Sequence, residues 1–243
     1  MPQGLRAAWR LLRVIVHLAH GMALVALRWP ALDAAGRQRR IAWWSGRMLQ
    51  VLGIRLEANG HCRHGASLLV ANHVSWLDIL ALHAVCPQAR FVSKADVRHW
   101  PLLGWLVAAA GTLFIERERK RDALRVVHHC AEALKAGDTV AVFPEGTTGT
   151  GPELLPFHAN LLQAAVTVDA PLQPLALRFH APGERFAVAT QFVGQTTLLQ
   201  SVWRIATARG LQAELKILPA IDTQGLERRV LAEVARERIQ AAL

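Results

Sequence analysis

Between Leu5 and Trp29 the polar side chains Arg6, Arg10, Arg13, His17 and His20 recur at spacings of 4, 3, 4 and 3, which gathers them on one narrow stripe of a helix. Every other face of that helix is apolar. A second helix is predicted over residues 36–52, where Ile41, Trp44, Met48 and Val51 share a face. After Gly53 the pattern changes to short apolar runs alternating with helical periodicity. Strands are expected near 67–72, 90–93, 112–115, 139–143 and 172–179, and helices near 76–86, 122–136, 159–168, 196–209 and 226–240. Two further runs, 185–193 and 213–220, are candidates to extend the sheet. This alternation predicts an α/β fold with a central, largely parallel sheet flanked by helices.

Charge sharpens the division between the two parts. Residues 1–50 hold eight arginines against Asp33 alone, so +7 of the net +10 falls in the first fifth of the chain, together with Trp9, Trp29, Trp43 and Trp44. Arginine and tryptophan among apolar runs favour the boundary between water and lipid. Residues 1–52 are therefore read as a membrane-associating two-helix segment, and 53–243 as the catalytic domain. The first helix is expected to lie in the interface, its arginines reaching lipid phosphates. A span needs about 20 mostly apolar residues and only Val14–Leu27 comes near, so a tilted span with snorkelling arginines is the alternative. No nucleic-acid-binding motif accompanies the basic charge, so no nucleic-acid partner is expected.

Three cysteines, Cys62, Cys86 and Cys130, without CxxC spacing indicate neither a disulfide framework nor a zinc site, and a reducing setting is expected. No small-residue cleavage site follows the apolar N-terminal run, which is read as retained.

Chemistry concentrates in two strings. The first, Asn72-His73-Val74-Ser75-Trp76-Leu77-Asp78, follows a predicted buried strand, at the end of the sheet where open α/β folds hold ligands. Residues five apart on a regular helix point about 140° from each other, so His73 and Asp78 meet only if His73 sits in the turn before the helix. Ser75 and Asp78 also have the spacing of a capping arrangement, which would make the aspartate purely structural. The second string is Phe143-Pro144-Glu145-Gly146-Thr147. Between the two, Gly111-Thr112-Leu113-Phe114-Ile115-Glu116-Arg117 ends a strand on an arginine, and after the second, Ala170-Pro171-Leu172-Gln173-Pro174-Leu175 opens another strand.

Four motifs in this order, over roughly residues 55–180, resemble the glycerolipid acyltransferase family, which makes phosphatidic acid from lysophosphatidic acid. The resemblance implies that His73 is the general base for an acceptor hydroxyl and that Asp78 orients its imidazole. Attack on an acyl thioester is then direct, with no covalent acyl-enzyme. Arg117 is implied as a phosphate contact, and Glu145, Gly146 and Thr147 as residues that bind the acceptor and support the catalytic loop; Lys94, at the end of the predicted strand 90–93, is read as a second phosphate candidate or an ordinary strand-end lysine. An arginine commonly follows the Gly-Thr of the third motif in that family, whereas Thr148 stands here. The function implied is a membrane-associated O-acyltransferase acting on 1-acylglycerol 3-phosphate, with acyl-CoA or acyl carrier protein as donor. It would work without cofactor or metal, on an anionic membrane surface at the cytoplasmic face of the inner membrane. Lyso-ornithine lipid is the alternative acceptor. The rival classes are a non-catalytic lipid-binding membrane protein and a phosphoester hydrolase, and the latter lacks a P-loop and a carboxylate cluster for metal.

Overall fold

A computed structural model describes residues 2–115 and 120–243. Two helices, α1 (Gln3–Leu27) and α2 (Ala34–Leu52), lead into an alternating series. This comprises β1 (Ile54–Asn59), β2 (Ser67–Ala71), α3 (Leu77–Val85), β3 (Ala89–Lys94), α4 (Leu103–Ala109), β4 (Leu113–Ile115), α5 (Lys120–Lys135) and β5 (Thr139–Val142). It ends with α6 (Gln163–Thr167), β6 (Leu172–His180), α7 (Leu198–Thr207), β7 (Leu211–Ile217) and α8 (Arg228–Ala242). The seven strands form one sheet in the order β1-β7-β6-β2-β5-β3-β4, parallel at every neighbour except the antiparallel pair β6–β7.

The continuous apolar runs of the central strands follow from burial on both faces. Leu68 and Val70 of β2 join Val140 and Val142 of β5 under Val126, Cys130 and Leu134 of α5 and Leu231, Ala235 and Ile239 of α8. The intervening Leu69, Ala71 and Ala141 face Met48, Leu49 and Leu52 of α2 and Leu77, Ala81 and Leu82 of α3. Helix α2 thus covers part of one face of the sheet as well as belonging to the N-terminal segment. Asp33 caps its first turn by accepting the Gly36 N–H at 2.7 Å, and Gly53, with φ +84°, ends it in the left-handed conformation.

Helix α1 reverses the expected use of its polar stripe. Arg6 and Arg10 point inward to the carboxyl end of α7: Arg6 Nη2 donates to Thr207 O at 2.9 Å, and Arg10 Nη1 to Ala206 O at 3.1 Å and Ala208 O at 2.7 Å. The last carbonyls of a helix have no partners within it and carry partial negative charge, which a guanidinium satisfies. The next turns are pinned to α2, where His17 Nε2 lies 2.9 Å from Trp44 O and Trp44 Nε1 donates to His17 O at 3.2 Å. The apolar faces are left outside, and Leu5, Trp9, Leu12, Ile15 and Val16 are each more than half exposed. By length and composition α1 is apolar enough to cross a membrane.

Other expectations are corrected. Strand β1, helix α4 and the disulfide joining Cys62 to Cys86, with Cα atoms 5.8 Å apart, were not expected. The fold brings the loop after β1 onto the end of α3, so this pair carries no local spacing signal. The candidate strand at 185–193 is instead irregular, with a single 3-10 turn at Val188–Thr190. The backbone of Phe192 bonds elsewhere: its N–H donates to Val74 O at 3.0 Å, and its carbonyl accepts the Thr148 hydroxyl. The helix expected over 159–168 is split into a 3-10 turn, Ala159–Leu162, and the short α6.

Candidate active site

Strands β2 and β5 pair in parallel with Ser67 opposite Thr139 and Val70 opposite Val142. Both run out at the same edge, so the residues that follow them stay side by side. His73 and Glu145 continue the pairing: the His73 N–H donates to Glu145 Oε1 at 2.7 Å. Phe143, two residues before the glutamate, stacks on the His73 imidazole with ring centroids 4.1 Å apart. On the other flank Asn72 locks β2 to β6, donating through Nδ2 to Leu177 O and accepting the Leu177 N–H at Oδ1, both at 2.8 Å. His73 is therefore held by two neighbouring strands, its side chain 20% exposed.

The turn before α3 puts Asp78 behind this ring. Its Oδ2 accepts the Val74 N–H at 2.7 Å and the Ser75 N–H at 2.9 Å, and lies 2.7 Å from His73 Nδ1. An oxygen already facing two N–H donors acts as acceptor toward the third, so Nδ1 carries the proton and Nε2 presents its lone pair away from the aspartate. The capping and orienting roles thus coexist on one fully buried carboxyl. Capping comes from the aspartate alone, because the Ser75 hydroxyl has no hydrogen-bond partner among the described residues. A neutral imidazole backed by a carboxylate can take a proton from a hydroxyl and hold the charge that results.

Glu145 faces the loop backbone. Its two oxygens accept the N–H groups of His73 and of Leu155, the latter at 2.8 Å, and it is 4% exposed. Burial pushes its carboxyl upward, while the two N–H groups pull the other way. Of the two duties read for it, acceptor binding and loop support, these contacts serve the second. Gly146 follows with φ +71°, where a Cβ would come within 3.0 Å of the His158 ring, so glycine suits both the turn and the space. The glycine and Thr147 are exposed beside the base-bearing loop. Thr148 is tied to Phe192, and Gly149 donates its N–H to His73 O at 2.8 Å.

His73, Asp78, Glu145, Gly146 and Thr147 thus come together at the carboxyl edge of β2 and β5. Lys94 ends β3, which neighbours β5, and so lies on the same edge. Arg117 lies outside the described residues, two positions beyond the end of β4. Three contributors had no role in the sequence reading: Asn72, Phe143 and the Phe192 backbone. The first two sit inside the quoted strings, and their signal was position at the end of a buried strand. Cys86, at the far end of α3, is engaged with Cys62.

Residues 54–178 match the family described as Acyltransferase. A lyso-ornithine lipid O-acyltransferase of Pseudomonas aeruginosa is 37% identical, over 98% of this chain and 94% of its own length. A 1-acyl-sn-glycerol-3-phosphate acyltransferase of Neisseria gonorrhoeae is 37% identical over 72% of this chain and 69% of its own. The solved 1-acyl-sn-glycerophosphate acyltransferase PlsC of Thermotoga maritima superposes with a TM-score of 0.76 at 20% identity, over 98% of this chain and 93% of that one, and shares the fold. The matched residues include His73, Asp78 and Glu145, and the chain belongs to the acyltransferase family of enzymes.

Proposed function

We propose that this acyltransferase moves a fatty acyl group from an acyl-CoA or acyl carrier protein thioester onto the hydroxyl of a membrane lysolipid. The observation that carries the reading is the 2.7 Å contact between His73 Nδ1 and a buried Asp78 oxygen that also accepts two backbone N–H groups. His73 Nε2 removes the proton as the acceptor oxygen attacks the thioester carbonyl, and Asp78 stabilises the imidazolium. The tetrahedral intermediate collapses, the carbon–sulfur bond breaks, and the imidazolium returns its proton to the departing thiolate. No metal or cofactor enters this scheme.

Residues 1–52 serve as the membrane-associating segment and 53–243 as the acyltransferase domain, working at the cytoplasmic face of the inner membrane. The exposed apolar side of α1 supports the membrane association, as do Trp100, Leu102 and Trp105 around the start of α4 and Leu199 and Trp203 on α7, all exposed. Helix α7 links the two parts: its carboxyl end holds Arg6 and Arg10, and its Ser201 hydroxyl accepts Trp76 Nε1–H at 3.1 Å within the His73–Asp78 string.

For the acceptor we favour lyso-ornithine lipid. The relative matched over nearly the whole chain bears that name, and Thr148 occupies the place where an arginine would add a phosphate contact. The second reading is 1-acylglycerol 3-phosphate, favoured by Arg117 and by the Neisseria relative. Purified protein given each lysolipid with each thioester, and its products read by mass spectrometry, separates the two. Full turnover in His73→Ala would sink the mechanism for either acceptor.

A further inference from the structure

The three arginines of α1 divide into a pair and a single residue with different surroundings. Arg6 and Arg10 are spent on α7, but Arg13 faces a groove between α1 and α2 of about 510 Å³. Arg47 of α2 lines the same groove. Two contacts fix the antiparallel register of the helices. His17 pairs with Trp44, and Gly53 lies so close to Arg10 that a Cβ there would strike the guanidinium. At about 1.5 Å of rise per residue, Arg13 is some 6 Å from the His17 level and Arg47 about 4.5 Å from the Trp44 level, both toward the Arg10 end. The two guanidinium-bearing residues therefore stand at nearly the same height, one on each wall.

Neither arginine has a carboxylate partner among the described residues. The one acidic residue of the first fifty, Asp33, is occupied in capping α2. Arg47 is exposed and donates to the neutral Gln50 side chain at 3.0 Å. Apolar side chains line the groove on both sides of the two arginines, Trp9, Leu12 and Val51 toward one end and Val16 toward the other, where His20 meets Trp43 edge-on with centroids 5.3 Å apart. Paired cations above an apolar track match a molecule with an anionic head and a hydrocarbon tail. A soluble anion would leave the track wet, and an apolar ligand would leave the arginines unanswered.

We propose that this groove binds one anionic glycerophospholipid of the membrane, its phosphodiester held between Arg13 and Arg47 and an acyl chain lying along Trp9, Leu12 and Val16. A guanidinium meets phosphate oxygens through paired hydrogen bonds, so two at one height form a clamp. The lipid is a bound component of the two-helix segment, separate from the acceptor that reacts at His73. The inference shares with the reading above only the membrane as source of the ligand.

Native mass spectrometry of the full chain in detergent, with phosphatidylglycerol added, tests it without using catalysis. One lipid adduct per chain is expected for the wild type. Arg13→Gln with Arg47→Gln should weaken that adduct by about tenfold or more. Arg39→Gln with Arg40→Gln removes the same charge from exposed positions of α2 outside the groove, and should change it by less than about twofold. Val16→Trp, which fills the track and leaves the charge intact, should also weaken binding. Equal losses in the two double variants would mean diffuse attraction and would overturn the proposal. So would undiminished binding in Val16→Trp, or a groove occupied by a second copy of the chain with no lipid adduct.

Discussion

Glu145 accepts the backbone N–H of His73 at 2.7 Å, and the separation of 72 residues between them is the one that pairs Ser67 with Thr139 and Val70 with Val142. The contact is the β2–β5 ladder continued by a side chain past the point where the strands end. A strand that simply stopped would leave this N–H unpaired in a buried turn. Here a carboxyl fills the place of the next carbonyl, and its second oxygen fixes Leu155 on the far side of the glycine turn.

Glu145→Gln should therefore injure both folding and catalysis. The amide keeps one acceptor oxygen and turns an NH2 group toward the other backbone N–H, so one buried donor loses its partner at a cost of about 1–3 kcal/mol. A fall in thermal midpoint should accompany a lower kcat. An unchanged midpoint would mean that the two contacts do not support the loop.

Asp78→Asn tests the carboxylate's charge. The Val74 and Ser75 N–H groups hold the amide oxygen in the place of Oδ2, so His73 Nδ1 keeps its proton and its acceptor, while the negative charge that stabilises the imidazolium is gone. A loss of about 10²-fold or more in kcat with little change in KM is expected, since proton transfer is slowed and the binding surface is kept. A KM effect alone would move Asp78 out of the proton path.

Much of this arrangement was legible in the sequence because it is local. The short apolar run from Ser67 to Ala71, bounded by turn residues, reads as a strand buried on both faces, and the residues after it fall at the sheet's carboxyl edge. The distance from His73 to Asp78 spans one turn. What stayed hidden needs the tertiary fold. Nothing in the local pattern around Asn72 announces that Leu177, 105 residues away, completes its hydrogen bonds. The arginine stripe of α1 was visible, but which side it faced depended on the end of α7. Alternating side chains at 185–193 suggested a strand, yet Phe192 uses its backbone on Val74 and Thr148.

Arg10→Ala should loosen α1 from the domain. It removes the donors to Ala206 O and Ala208 O at the carboxyl end of α7, with an expected loss of about 1–3 kcal/mol. Faster cleavage near residues 198–210 in limited proteolysis would report the freed end. Arg13→Ala, which leaves α7 untouched, should match the wild type. Equal protection in both variants would show that α7 does not depend on the arginine.

The Cys62–Cys86 bond closes a loop with a sequence separation of 24, for which chain entropy predicts a contribution of roughly 3 kcal/mol. Thermal midpoints of the wild type with and without reductant, beside Cys62→Ser, measure it. The variant should behave like the reduced wild type and show no response of its own to reductant. A wild type whose midpoint ignores reductant would show that the bond contributes nothing. Disulfides are uncommon in reducing compartments, so alkylating the protein as cells are opened would show whether the bond exists at the site proposed for this enzyme.

His83 predicts how the fold responds to acid. It is buried within α3, its Nε2 lies 3.1 Å from Ala89 O, and desolvation pushes its pKa from 6.5 down to about 4 despite that hydrogen bond. Falling pH therefore protonates the unfolded chain from about 6.5, whereas the folded chain resists until about 4. Between those values the unfolded state holds more protons, so stability falls as pH falls, by roughly 3 kcal/mol in all, and the effect levels off below the folded value. Denaturant titrations at pH 7, 5.5 and 4.5 should show the wild type losing this stability. His83→Gln, which can keep a donor toward Ala89 O and cannot titrate, should lose correspondingly less. Parallel losses in both proteins would remove His83 as the cause and shift attention to other groups that titrate in that range.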